Sequence, residues 1–294
     1  MSDSPKLPHL ATLLLEGPVR AALLEDLGRA GDITSQSVVP EDAVARVSLT
    51  AREDGIVAGL DVARTAFRLV DTSLKIAVIR EDGARVGPGD DIALIEGPAR
   101  SILTAERVAL NFMGHLSGVA TATRSLVDAV EGTGARICCT RKTTPGLRAF
   151  EKHAVLAGRG VNHRFGLDDA ILIKDNHIAA AGGITKALTA AQRAAGHMTA
   201  IEIEVDTLEQ LDEALAAGAR IILLDNMTPP ELEAAVKKAA GKAVLEASGK
   251  INLETVRAVA ETGVDYISSG FITHSAPTLD IGLDFDALVP GAGD

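Results

Sequence analysis

Six short apolar runs punctuate the later part of the chain, and each has something polar at or just beyond its C-terminal end. They are ARICCT (135–140), AILIK (170–174), IEIEV (201–205), RIILLD (220–225), AVLEAS (243–248) and DYISSG (265–270). Between them lie segments with helix signals. Thr207-Leu-Glu-Gln and Thr228-Pro-Pro-Glu read as capping boxes, the second with proline at the first helical position, and Gly218 and Gly263 fall where helices should stop. Strands alternating with helices imply parallel β-structure, either a doubly wound sheet or a barrel. Taking one polar residue per run (142, 174, 204, 225, 248 and 269) gives steps of 32, 30, 21, 23 and 21, the repeat of successive βα units. A barrel brings all its C-terminal strand ends to one face, whereas an open doubly wound sheet gathers ligands near one switch point. Six polar strand ends in a row fit a ring better than a line.

The earlier part of the chain reads differently. Residues 9–27 predict helical segments broken at Gly17-Pro18, followed by GDITSQSVVP, which is rich in turn formers. Residues 45–60 and 74–96 alternate polar and apolar positions around Asp54-Gly55, Asp82-Gly83 and Pro88-Gly89, as antiparallel strands do, with a helix at DVARTAFRLV between them. This predicts a small α+β unit ending near Gly97-Pro98. Its DG-x-x-V-x-PGD pattern faintly resembles lipoyl-carrier sandwiches, but no lysine sits at a hairpin tip, so the unit reads as scaffold. Thr104 reads as the cap of the next helix, which puts Arg107 in the first turn. There the macrodipole disfavours a cation by some tenths of a kcal/mol, a hint that an anion or an acidic neighbour lies close.

Composition narrows the function. The net charge of −11 argues against nonspecific nucleic-acid binding, and with no Trp and one Tyr there is little material for stacking bases. Any basic site must be a local pocket in an acidic protein. No apolar run is long enough for a membrane span, and the N-terminus shows no signal pattern, so the expected address is the cytoplasm. The cysteines, Cys138 and Cys139, are adjacent and make neither a disulfide framework nor a CxxC motif.

Sorted along the chain, the ring of strand ends has a chemical direction. Basic residues come first: Arg141, Lys142, Arg159, His163, Arg164 and Lys174. Acidic Glu204 and Asp225 follow, and the small pairs Ser248-Gly249 and Ser269-Gly270 come last. Loops after the last two strands of such barrels commonly hold phosphate, because glycine lets backbone N–H groups approach an anion and serine adds a hydroxyl. Two carboxylates at strand ends can hold Mg²⁺ beside phosphates or accept from sugar hydroxyls; each can also be a plain salt bridge to a lysine. Glu202 shares a strand face with Glu204, and one of the two can be structural. Guanidinium and imidazole groups suit carboxylates. No nucleophile elbow, P-loop, dinucleotide fingerprint or histidine metal spacing is present in the sequence.

The segments ALLEDLGRAGDITS, ERVALNFMGHLSGVAT, CCTRKTTPGLRAFEKHAVLAGRGVNHRFGLDDAILIKDNHI, IEIEV, ILLDNM, LEASGKI and ISSG resemble the quinolinate phosphoribosyltransferase family over about residues 20–285. The resemblance implies an N-terminal α/β sandwich (1–117) followed by an open, six- to seven-stranded α/β barrel (118–289). It implies phosphoribosyl transfer from phosphoribosyl pyrophosphate to quinolinate with decarboxylation, giving nicotinate mononucleotide, pyrophosphate and CO₂, with Mg²⁺. It further implies a homodimer whose Arg107 completes the partner's site. By the same resemblance Arg141, His163, Arg164, Lys174 and the partner's Arg107 surround the quinolinate carboxylates, and Lys142 and Lys174 meet the pyrophosphate. Glu204 and Asp225 hold the ribose and the metal-linked region. Ser248, Gly249, Lys250, Ser269, Gly270 and His274 cradle phosphate, and Thr140 and Phe271 belong to the same substrate-binding set. The catalytic group is then Lys142, Lys174, Glu204 and Asp225. Rival readings are a nicotinate phosphoribosyltransferase, the molybdenum-operon paralogue of the family, and a Schiff-base aldolase working through Lys174. Four basic groups exceed what one nicotinate carboxylate needs.

Overall fold

The computed structural model describes residues 7–289. Along the chain it contains α1 (Thr12–Leu27), α2 (Ile33–Val38), β1 (Val44–Ala51), β2 (Gly55–Ile56), α3 (Leu60–Val70), β3 (Lys75–Val78), β4 (Arg85–Val86), β5 (Asp91–Pro98) and α4 (Ala99–Ala129). Next come β6 (Arg136–Cys138), α5 (Arg148–Ala157), β7 (Ile171–Ile173), α6 (Asp175–Ala181), α7 (Ile184–Ala194), β8 (Ile201–Val205), α8 (Leu208–Ala216) and β9 (Ile221–Asp225). The chain closes with α9 (Pro229–Ala239), β10 (Val244–Ser248), α10 (Val256–Glu261), β11 (Tyr266–Ser268), α11 (Phe271–His274) and β12 (Ile281–Val289). No helix among the described residues is long and apolar enough to cross a membrane.

Two compact units emerge, and neither is a single stretch of chain. The first holds the residues up to Arg124, Thr144–Arg159 and the chain from Ala276; the second holds Ser125–Thr143 and Gly160–Ser275. The chain from Ala276 joins the first unit through β12, which pairs antiparallel with β1 from Val44↔Val289 to Ala51↔Ile281.

In the first unit the antiparallel order is β12-β1-β5-β3, with β2 and β4 forming a separate pair. Strand β1 buries Val47 and Leu49 and β5 buries Ile92 and Ile95, with a register irregularity between Leu49 and Thr50, and α3 and α4 add Phe67, Ile102 and Met113. Phe112 packs edge-on to Phe150 at 6.0 Å. Gly118 on α4 has a packing reason: a Cβ there would collide with the Pro277 carbonyl. That close approach lets residues 276–279 cross the helix, with the Leu279 N–H donating to the Gly114 carbonyl at 3.0 Å.

Three local expectations for this unit need correction. Helix α1 runs unbroken through Pro18; proline removes one donor, but flanking LLLE and VRAALLEDL hold the helix with buried Leu15, Val19 and Leu23. The turn-rich stretch after Gly31 is the short helix α2, because Asp32 accepts from the Ser35 N–H at 2.9 Å and caps it. Thr104 is not a cap: α4 begins at Ala99, directly after β5, and the Thr104 hydroxyl donates instead to Asp32 at 3.1 Å. Arg107 therefore lies in the third turn, and the macrodipole argument for a nearby anion falls.

In the second unit all six strands are parallel, in the order β6-β11-β10-β9-β8-β7. Val161 adds a single parallel bridge to Cys138 on the free edge of β6, a seventh position. The strands thus follow the chain around an open α/β barrel, with the opening between Val161 and β7. Turn chemistry sets the helices as expected. Thr228 and Glu231 cap α9, with the Glu231 carboxylate accepting from the Thr228 N–H at 2.7 Å, and Gly218 and Gly263 take positive φ after α8 and α10. At α8 only half of the expected box forms: Thr207 accepts from the Gln210 N–H, but the Gln210 side chain takes the Asp206 N–H.

Candidate active site

The strand pairings place the polar ends in common rows. Asp225, Ser248 and Ser268 are register partners across β9, β10 and β11, and two positions lower Glu204, Leu223 and Glu246 are register partners across β8, β9 and β10. Side chains two apart share a strand face, so Glu204 and Glu202 stack on β8 as Ser248 and Glu246 do on β10. A cavity of about 740 Å³ opens here. It is lined by Thr140, Arg141, Lys142, His163, Arg164, Lys174, Glu204, Asp225, Ser248, Gly249, Lys250, Ser269, Gly270, Phe271 and His274, which is every predicted site residue except Arg107. Leu172, Leu223, Asn226, Glu246, Ile251 and Ser268 complete the lining. Arg107 belongs to the first unit, 64% exposed, with the neighbouring Glu106 carboxylate 4.0 Å away.

One side of this cavity is strongly basic. Burial, and then the positive charge of Arg141, pull Arg164 below the ordinary guanidinium value. Arg164 is fixed by donating to the Ala170 carbonyl at 2.9 Å, and its Nε is buried with no hydrogen-bond partner among the described residues. Two guanidiniums held close enough to repel call for an anion. Asp169 folds the intervening loop by accepting from the Phe165 and Gly166 N–H groups at 2.6 and 2.8 Å.

Beside them lies a set of three groups, two of them buried carboxyls and the third the half-buried His163. The Arg164 N–H donates to His163 Nδ1 at 2.7 Å, so Nδ1 is unprotonated and the ring proton resides on Nε2, which donates to Glu202 at 2.9 Å. Glu246 Oε1 stands 4.0 Å from the same Nε2. Burial, and then the charge of Glu202, push the Glu246 carboxyl up to about 7. Glu202 and Glu246 each have one buried oxygen without a hydrogen-bond partner among the described residues.

Across the cavity, Lys174 Nζ donates to Glu204 at 3.1 Å, and Asp225 accepts from the Asn226 side-chain amide at 2.6 Å. Glu204 and Asp225, at the ends of adjacent strands, offer the sparse oxygen set that suits Mg²⁺, a cation that keeps most of its waters and takes further oxygens from phosphate. The phosphate-side loops are tight. Gly249 has φ +110°, Asn226 and Lys250 have φ 55° and 49°, and a Cβ at 249 would collide with the Asn226 side chain. Successive backbone N–H groups in such turns form anion-binding concavities. At the other late loop, Lys142, Gly270 and His274 gather: a Cβ at 270 would stand 2.9 Å from Lys142 Cδ and 3.1 Å from the His274 ring. Thr273 holds this corner, its hydroxyl donating to the Lys142 carbonyl at 2.7 Å.

Sequence reasoning missed Glu246, Leu172, Asn226 and Thr273. The signal for Glu246 was present, a carboxylate inside the apolar run AVLEAS two residues before a predicted phosphate-loop serine. Asn226 follows Asp225 directly, and its positive φ is visible only in three dimensions.

The family model for the quinolinate phosphoribosyl transferase C-terminal domain matches residues 119–284, and that for the N-terminal domain matches 32–117. A probable nicotinate-nucleotide pyrophosphorylase [carboxylating] from Bacillus subtilis is 48% identical over 261 residues, covering 89% of this chain and 90% of the relative. The nicotinate-nucleotide pyrophosphorylase [carboxylating] of Mycobacterium leprae is 47% identical over 271 residues, covering 90% and 95%. Among solved structures, NadC from Streptococcus pyogenes superimposes with a TM-score of 0.91 at 42% identity, covering 95% of this chain and 100% of that one. The nicotinate-nucleotide pyrophosphorylase of Francisella tularensis gives 0.90 at 38%, covering 96% and 100%.

Proposed function

The chain belongs to the quinolinate phosphoribosyltransferase family, and from that premise we propose how its own residues carry out the reaction. The enzyme is a pentosyltransferase of NAD biosynthesis that joins quinolinate to the phosphoribosyl group of phosphoribosyl pyrophosphate and releases pyrophosphate and CO₂, leaving nicotinate mononucleotide. The observation that carries the site assignment is the Arg141–Arg164 pair. Two guanidiniums that repel each other, lining a cavity of a chain with net charge −11, are stabilised by a doubly charged planar acid.

Arg141 and Arg164 grip the two carboxylates and orient the pyridine nitrogen toward the sugar. The nitrogen is itself the nucleophile, so no protein nucleophile is required. Lys142 and Lys250 and the turns at Ser248-Gly249 and Ser269-Gly270 hold the phosphate groups of the second substrate. As the anomeric carbon loses its leaving group it takes on oxocarbenium character, which the Glu204 and Asp225 carboxylates stabilise. Lys174, held by Glu204, balances the charge of the departing pyrophosphate. Mg²⁺ bound through Glu204 and Asp225 would neutralise pyrophosphate further. Once ribose is attached, the pyridinium nitrogen is an electron sink for the pair left behind when the adjacent carboxylate departs as CO₂.

The active enzyme on this reading is a homodimer in which the partner's Arg107 supplies a third guanidinium. Its high exposure and weak pairing in one chain support that role. Cys138 and Cys139 are buried and not joined in a disulfide, which is compatible with a reducing cytoplasm. Competition between substrates tests the assignment. With phosphoribosyl pyrophosphate in excess, quinolinate should be turned over and nicotinate should not. Turnover of nicotinate alone would move the chain to a different base specificity.

A further inference from the structure

Glu246 has no place in the steps above, and its surroundings make it anomalous. It is a carboxyl group in the wall of a pocket built for anions. No lysine or arginine forms an ion pair with it among the described residues, and the charged group nearest in kind is another carboxylate, Glu202. The residue is 6% exposed; among the described residues its Oε1 lacks a hydrogen-bond partner, while the Ser268 hydroxyl hydrogen-bonds the carboxyl group. An ionised group here would be desolvated, repelled by Glu202 and repelled again by a bound dicarboxylate. The neutral acid avoids all three costs.

A metal ion shared by His163, Glu202 and Glu246 would also reconcile the cluster, whose ligand atoms lie within 4.8 Å of one another. The histidine geometry argues against it. His163 Nδ1 accepts the Arg164 N–H, so the ring proton must stay on Nε2, the one nitrogen that faces the carboxylates and would have to bind the metal. The group that fits between these oxygens is a proton.

Resting on the reaction assigned above, we propose that Glu246 is the acid that protonates the ring carbon left bare by the departing CO₂. The geometry gives it the position. It lines the same cavity as Arg141, Arg164 and His163, and its Oε1 stands 4.0 Å from His163 Nε2, on the side of the pocket assigned to the carboxylates. In the step, the bond between the ring carbon next to nitrogen and its carboxylate breaks, and the electron pair stays on the carbon. The Glu246 O–H proton forms the new C–H bond, and its electrons remain on Glu246 as a carboxylate. Solvent returns the proton once nicotinate mononucleotide and CO₂ have left. Glu202, accepting the His163 N–H, is the fixed negative neighbour that keeps the Glu246 proton bound until then. The other charged or titratable groups lining the cavity are Lys142, Lys174, Glu204, Asp225, Lys250 and His274.

The test is Glu246→Gln, which keeps shape and neutrality but has no acid proton. Three quantities are read on the full-length enzyme: quinolinate affinity without the second substrate, pyrophosphate release in a single turnover, and formation of nicotinate mononucleotide. The expected result is quinolinate affinity within about threefold of wild type, pyrophosphate still released, and nicotinate mononucleotide formation slowed about a hundredfold or more, the range of general acid catalysis. Product formation within a few-fold of wild type would overturn the proposal. So would quinolinate affinity falling in step with turnover, since that marks a merely structural role. Glu246→Asp, which retains a proton, should recover part of the lost rate; recovery no better than Gln would also count against the proposal. Failure of the parent reading is separable, because it would appear as wild-type enzyme that does not consume quinolinate at all.

Discussion

Replacing Glu246 by Gln should also change how stability depends on pH, and the size follows from the burial of one group. The Glu246 carboxyl titrates near 7 in the folded chain, against an ordinary value of 4.5 when unfolded. Below 4.5 both states hold the proton. Between 4.5 and 7 only the folded state does, so raising the pH there favours the unfolded chain; above 7 the loss is complete. From pH 5 to pH 8 the group crosses about two pH units of that window, worth about 3 kcal/mol at 1.36 kcal/mol per unit. Gln cannot ionise and lacks this slope. The check is thermal melting of wild type and Glu246→Gln at pH 5 and pH 8 in matched ionic strength. The variant should gain on wild type by roughly 6 °C between the two pH values, at about 2 °C per kcal/mol for a chain of this size. A Tm difference that stays constant with pH would refute the claim that Glu246 is protonated in the fold.

Further outcomes follow from the rest of the site. Arg164→Ala should raise KM for quinolinate by roughly 10- to 150-fold, the worth of a charge-assisted hydrogen bond of about 1.5–3 kcal/mol, with little change for phosphoribosyl pyrophosphate; steady-state kinetics in each substrate separates the two. Gly249→Ala puts a Cβ into Asn226 at φ +110° and should weaken phosphoribosyl pyrophosphate binding about tenfold or more while leaving quinolinate affinity near wild type, as direct titration would show. Mixing inactive Arg107→Ala with inactive Glu204→Ala should restore partial activity through heterodimers, and verified heterodimers without activity would exclude shared sites. Borohydride in the presence of carbonyl compounds should leave Lys174 unmodified by mass spectrometry, because its ammonium is held by Glu204.

What could be read from the residues alone was what depends on local pattern. The six strands lie inside the six apolar runs, and the polar residue closing each run reaches the cavity, because strand direction and burial are written in short alternations. The failures came where distant residues intervened. Pro18 is tolerated because buried leucine and valine positions hold the helix on both sides of it. Thr104 looks like a cap in isolation, but β5 delivers the chain to Ala99 already in register to start α4. The return of β12 to β1 joins residues more than two hundred positions apart, and no local signal marks it. Glu246 was overlooked for a related reason. A carboxylate in an apolar run becomes meaningful only when Glu202 and His163, from two other segments, are brought against it.

The assigned reaction requires one stoichiometry. Purified protein given quinolinate, phosphoribosyl pyrophosphate and Mg²⁺ should release pyrophosphate, CO₂ and nicotinate mononucleotide in equal amounts, and Arg141→Ala should lose all three together. Nicotinate mononucleotide formed without CO₂, or full activity in Arg141→Ala, would contradict it.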